Sequence, residues 1–164
     1  MKLKEKISFK GRRIVLQWSK SSVIPQNINI SQVTGFCFTS NQKILIIKNK
    51  DGWGFPGGHP EPNERPQKTL CREIWEESAV IIGRPRLIGY LRVQDPQNQS
   101  IEGKQYVQLR YLCKIKEIKK FHKRFETTER KFVNLVELFQ YIPWLNSAVG
   151  SQQYQVIKQG LGKK

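Results

Sequence analysis

Residues 58–80 read GHPEPNERPQKTLCREIWEESAV. Pro66 suits the first turn of a helix, where its missing N–H costs nothing. The residues after it continue a helix to Ser78. At 3.6 residues per turn, Leu70, Cys71, Ile74, Trp75 and Ser78 form one stripe. Glu73, Glu76 and Glu77 fall on the opposite side, within an arc of about 100°. Like charges three and four residues apart repel by ~0.2–0.5 kcal/mol per pair in a solvated helix. Glu76 and Glu77 also sit near the helix C-terminus, the wrong end for anions. The chain as a whole carries 29 Lys and Arg against 13 Asp and Glu. Segment 58–80 nevertheless sets five carboxylates against only Arg65, Lys68 and Arg72. Such an island asks for a compensating cation. Gly57-Gly58 allows close backbone approach, and Glu64 stands just before the helix. Clustered oxygens of this kind are what a hard divalent ion needs.

Around this helix the sequence alternates strands and turns. Arg13–Trp18, Val33–Phe38, Lys43–Lys48, Trp53–Phe55, Leu87–Val93, Tyr106–Leu112 and Lys131–Val133 read as strands, with 33–38 and 43–48 joined as a hairpin. A polar loop spans 94–104, and Leu135–Tyr141 reads as a short helix ended by Pro143. This order predicts a layered α/β domain. One domain is expected over 1–164, with 1–30 as a basic N-terminal extension carrying an extra strand and 145–164 as a C-terminal tail.

Apolar residues make up 38% of the chain, including 8 Phe, 5 Tyr and 4 Trp, so a folded core is expected. No apolar run approaches the ~20 residues of a membrane span. The basic start, MKLKEKISFKGRR, is not followed by the apolar segment of a signal peptide, so a cytoplasmic protein is expected. Cys37, Cys71 and Cys113 form neither a disulfide framework nor a zinc pattern. The formal charge of +16 favours anionic partners.

Gly58, five residues, Glu64, seven residues, Arg72-Glu73-Ile74, one residue, Glu76-Glu77, two residues, Val80 resembles the box of the Nudix hydrolases, G-x5-E-x7-R-E-U-x-E-E-x-G-U with U aliphatic. Eight of nine specified positions agree. Ala79 stands where the family has Gly. A helix end often needs a left-handed residue there, which Ala adopts at a cost of ~1–2 kcal/mol, so a shifted cap is expected. Asn63 replaces a common Gly, and Asn tolerates that conformation. The resemblance implies an α/β/α sandwich with a mixed sheet. It also implies a metal-dependent pyrophosphohydrolase that cleaves a nucleoside diphosphate linked to another moiety by attack of water on phosphorus.

The same resemblance implies that Glu73, Glu76 and Glu77, with the Gly58 carbonyl, hold Mg²⁺ or Mn²⁺, and that Arg72 and Glu64 orient those carboxylates. Relatives often place a general base in a loop before a late strand. Phe125-Glu126-Thr127-Thr128-Glu129-Arg130-Lys131-Phe132 fits that place, making Glu126 the first candidate and Glu129 the second. Glu102 and Glu73 are further candidates. Pro96, sixteen residues after Val80, matches relatives that cleave ADP-ribose, so an ADP-ribose-like substrate or a nucleoside triphosphate is expected. Tyr90, Tyr106, Trp53 and Phe55 are available to stack on a base. A second reading is a hydrolase of RNA 5′ phosphates, its backbone tracked by Lys114, Lys116, Lys119, Lys120, Lys123 and Arg124. A third is a non-catalytic Nudix-fold module, which usually lacks box glutamates that this chain retains. Many relatives pair, which leaves a homodimer open with residues 1–30 available to contribute to it, but the oligomeric state is not readable from the sequence.

Overall fold

A computed structural model describes residues 3–123 and 125–162. The chain begins with β1 (Lys4–Phe9) and β2 (Arg12–Lys20), continues through β3 (Asn29–Phe38), β4 (Ile44–Asn49), β5 (Gly52–Gly54) and β6 (Gly57–Gly58), and enters α1 (Pro66–Ser78). Then come β7 (Val80–Ile82), β8 (Arg86–Gln94), β9 (Gln105–Ile118), β10 (Glu129–Val133), α2 (Leu138–Tyr141) and α3 (Ala148–Leu161). The main strand order is β1-β2-β8-β9-β3-β4-β10. β3 runs parallel to β9 while the other pairs along this path are antiparallel, so the sheet is mixed.

Alternation along the strands divides the core between two faces. Val33, Cys37, Leu45, Leu109 and Tyr111 pack with Leu70 and Ile74 of α1. Phe36, Phe38, Ile44 and Ile46 face the other way, against Leu138, Ile142, Leu145 and Ile157. With helices on both faces, Ile44 to Ile47 are all buried, and the strand reads as a continuous apolar run. The expected α/β/α sandwich is therefore present. No helix among the described residues is long and apolar enough to cross a membrane.

Several boundaries differ from the sequence expectation. The basic start forms a hairpin rather than one strand, and β2 pairs with β8 across Val15–Lys20. β1 was hidden by its charges: only Glu5 and Ile7 are partly buried in KEKISF. Residues 145–164 contain α3, whose Ser147 accepts the Gly150 N–H as an N-cap. Val149, Gln153 and Ile157 form its buried stripe, with a glutamine at a position where an apolar residue would have signalled the helix. The single helix expected over 135–141 is instead a tight turn, Leu135–Glu137, leading into α2. The 33–38/43–48 hairpin is present only at its base, Phe38 opposite Ile44, because β3 gives its edges to β9 and β6.

The contact of β6 with β3 brings the chain alongside α1. Gly57 lies opposite Thr34, and a Cβ at Gly57 would sit 2.1 Å from the Val33 carbonyl oxygen. That neighbour is backbone and cannot rotate away. Gly57→Ala should lower unfolding free energy by at least about 2 kcal/mol in chemical denaturation; an unchanged midpoint would show that β6 is not held this tightly.

Candidate active site

The turn before α1 is built from backbone. Asn63 takes a left-handed φ of 62°, as its side chain allows, and the Glu64 N–H donates to the Glu61 carbonyl at 3.0 Å. Arg65 gives no side-chain cap, so Pro66 starts the helix without one. This turn aims Glu64 back across the first coils of α1. Arg72 Nε and Nη2 donate to the two Glu64 carboxylate oxygens, each at 3.1 Å. The other edge of the guanidinium, Nη1, reaches Glu73 at 3.0 Å and Glu76 at 3.2 Å. Nη2 also approaches the His59 carbonyl at 3.4 Å. One cation thus meets three carboxylates. Its hydrogen bonds hold Glu64 below the usual carboxylate range, and Glu64 in turn raises the Arg72 pKa.

The inner carboxylates lie deeper. A Cβ on Gly58 would be 2.3 Å from Glu73 Cδ and 2.4 Å from its Oε1, so Glu73 occupies the space a side chain would fill. Burial raises Glu73 despite Arg72 beside it. Glu77 accepts the Gly57 N–H at 2.9 Å. Burial, reinforced by the charges of Glu73, Glu126 and Glu76, pushes Glu77 up to about 8. Gly58, Glu64, Arg72, Glu73, Glu76 and Glu77 are thus brought together. Among the described residues, no three His, Cys, Asp or Glu already surround a common centre as metal ligands. The reason is visible: the carboxylates are grouped around Arg72. Their chemistry still fits a hard cation, because Glu77 is half-buried on a single N–H donor among the described residues and Glu73 presses on bare backbone.

α1 ends at Ser78, and Ala79 itself adopts the left-handed cap at φ 54°, donating to Trp75 O at 2.9 Å. The expected shift of the cap does not occur. Ala79 is fully buried, and its carbonyl accepts the Lys119 N–H at 2.9 Å. Those contacts offset the strain.

The candidate bases separate in space. Glu126 is exposed on the turn before β10 and close enough to Glu77 to raise it. Glu129 instead pairs with Lys48 at 3.1 Å. Glu102 accepts from Ser100, the largest cause of its lowered pKa, and lies near His59. Pro96 is exposed on a turn in which the Asn98 N–H donates to Asp95 O. Tyr90 packs against the core, and Trp53 and Phe55 join edge contacts with Tyr141, Phe36 and Trp144. Only Tyr106 of the four aromatic candidates lines the cavity beside His59, which has a volume of about 660 Å³. Lys114, Lys116, Lys119, Lys120 and Lys123 are exposed; Arg124 lies outside the described residues.

The NUDIX domain family model matches residues 30–155. The chain belongs to the Nudix hydrolase family. It is 35% identical over 69 residues to diphosphoinositol polyphosphate phosphohydrolase 2 of Rattus norvegicus, a match covering 39% of this chain and 38% of that protein. The chain thus spans well under half the length of the curated relatives it matches. In fold it is similar to the Bacillus subtilis pyrophosphohydrolase BsRppH, with a TM-score of 0.71 and 20% identity over 95% of this chain and 97% of the other. The NUDIX domain of Shewanella oneidensis NrtR, in complex with ADP ribose, gives a TM-score of 0.61 and 17% identity over 82% and 90%.

Glu77 carries a sign that can be measured. Its ordinary value is 4.5 and its folded value about 8, so the fold favours the neutral acid. In metal-free protein, stability from this group is fully present below about pH 4.5 and lost as pH rises through about 8. Glu77→Gln should remove that loss, raising the metal-free Tm at pH 8 above that of the unmodified protein. The same variant should abolish most of the Tm rise given by millimolar Mg²⁺. A Mg²⁺-induced shift that survives intact would exclude Glu77 from ion binding.

Proposed function

We propose that the protein is a metal-dependent pyrophosphohydrolase of nucleotides, cleaving a nucleoside diphosphate linked to another group. The observation that carries this is the packing of Glu73 onto Gly58, beside Glu77 on the Gly57 N–H. Glu73, Glu76, Glu77 and the Gly58 carbonyl would hold Mg²⁺ or Mn²⁺. Bound there, the ion supplies charge to the phosphate oxygens and lowers the pKa of a bound water. Glu64 locks Arg72 as a two-toothed fork, and Arg72 fixes Glu73 and Glu76 in place. Glu126 is the first candidate to take the proton from the attacking water. Its position near Glu77 supports this over Glu129, which is engaged with Lys48. Glu73 is the second candidate.

For the substrate, a nucleoside triphosphate or an ADP-ribose-like molecule fits the reading, the latter supported by the complex of the NrtR domain. A second reading, the 5′ phosphates of RNA, is favoured by one feature. A cleft of about 540 Å³ is lined by Arg84, Arg86, Lys114 and Lys116. A steep fall of substrate affinity with salt separates this reading from the first.

The test is phosphate release from ADP-ribose, sugar nucleotides, nucleoside triphosphates and 5′-triphosphate RNA, with Mg²⁺ and with Mn²⁺. Glu76→Gln should cost about 100-fold or more, and Arg72→Lys, which loses the fork, about 10–100-fold. Glu126→Gln should lower kcat more than it raises KM. Undiminished activity in Glu76→Gln would refute the ion site; no release from any substrate would leave a non-catalytic nucleotide-binding module.

A further inference from the structure

Arg110 is buried, and neutral oxygens of Gln153, Thr34, Leu109 and Gln108 take its N–H groups at 3.0 to 3.4 Å. Further along the same face of the sheet stand cations with no such partners. Lys114 and Lys116 follow Leu112 at two-residue steps and so share its face, and Arg86 lies opposite Leu112 in the β8–β9 pair. Leu112 packs into the layer of α2 and α3. The carboxylates of the candidate metal site belong to α1, which packs on the other face. These cations and those carboxylates therefore stand on opposite faces of the sheet.

β9 pairs with β8 as far as Leu112 and with β7 from Ile115 onward. The cleft of about 540 Å³ opens between these two pairings, bordered by Gly160 of α3, and Arg84 in the β7–β8 turn adds a fourth cation. Two glycines make room for its charges. A Cβ on Gly83 would lie 2.8 Å from Lys116 Cε, and a Cβ on Gly160 would lie 3.4 Å from Arg86 Nη2. Basic side chains thus lie against bare backbone here, as Glu73 does at Gly58. All four cations are exposed, and none has an ion pair or side-chain hydrogen bond among the described residues. The nearest carboxylate along β9, Glu117, is taken by Lys119 at 2.6 Å. Four like charges around one hollow repel one another, which an anion relieves.

We infer that this cleft is a second anion site, separate from the α1 carboxylates, and that its ligand is a free oligophosphate, a short run of linked phosphates. Lys and Arg only donate, and ionised phosphate oxygens accept. The cleft offers no aromatic ring on which a base could stack. It also offers no side-chain oxygen to accept from a ribose hydroxyl. Those two features set it apart from a track for an RNA backbone, which the same cations would otherwise serve. Its volume is that of a small-ligand site. The assignment stands independently of what the α1 site hydrolyses.

The test is calorimetric titration of the full chain, stripped of metal on a chelating resin, with inorganic tripolyphosphate, pyrophosphate and phosphate. The unmodified protein should bind one tripolyphosphate, about tenfold or more tightly than phosphate, with affinity falling as salt rises. Arg86→Gln and Lys116→Gln, each with an unchanged Tm, should weaken that binding about tenfold. Lys120→Gln removes the same charge outside the cleft and should change it less than about twofold. A short 5′-hydroxyl RNA oligonucleotide, at an equal concentration of phosphate groups, should leave the tripolyphosphate bound. No tripolyphosphate binding, an equal loss in all three variants, or displacement by the oligonucleotide would overturn the inference, the last by assigning the cleft to an RNA backbone. With the metal removed, none of these outcomes depends on the hydrolase reading.

Discussion

Arg72 is the interaction on which the site depends. Without it, Glu64, Glu73 and Glu76 would be three carboxylates crowding one side of a helix in a region of reduced solvent. With it, each has a donor at 3.0 to 3.2 Å, and the turn before α1 is tied to the helix itself. The fork on Glu64 also limits where the guanidinium can go, so its second edge must serve Glu73 and Glu76. Charge repulsion within the helix is converted into a fixed array of oxygens. Glu77 stands outside that array, half-buried on the Gly57 N–H, and it is the group with the most to gain from a cation.

Two glycines let this array form beside a strand. Gly57 leaves room for the Val33 carbonyl, which keeps β6 on β3, and Gly58 leaves room for the Glu73 carboxylate. The same strand, β3, continues to Thr34, whose hydroxyl accepts from Arg110 on the opposite face of the sheet. The chain therefore places its two arginine-centred networks on either side of one strand. One is saturated with carboxylates, the other with neutral oxygens.

The box was legible because its chemistry depends on spacing. Helical periodicity put Glu73, Glu76 and Glu77 on one side, and the distances to Gly58 and Glu64 did the rest. Core strands were legible because burial on both faces leaves apolar runs such as Ile44–Ile47. Strand β1 and helix α3 were not, because their inward residues are few and include Glu5 and Gln153, which act through hydrogen bonds that periodicity does not register. Arg110 was missed for a related reason. In a chain with 29 Lys and Arg, nothing local marks Arg110 as one that folds inward onto neutral oxygens. Ala79 shows the reverse: the departure from the family pattern was visible, but the tertiary contacts that keep the cap in place were not.

The central claim is that the Arg72-ordered carboxylates, together with Glu77, form a divalent-ion site. Mn²⁺ binding followed by electron paramagnetic resonance tests it most directly, because the loss of free-ion signal reports ligation without any turnover. The unmodified protein should bind at least one Mn²⁺ per chain, with binding weakened strongly in Glu73→Gln and in Glu77→Gln and less in Arg72→Lys. Stoichiometric Mn²⁺ binding that is the same in all four proteins would contradict the account.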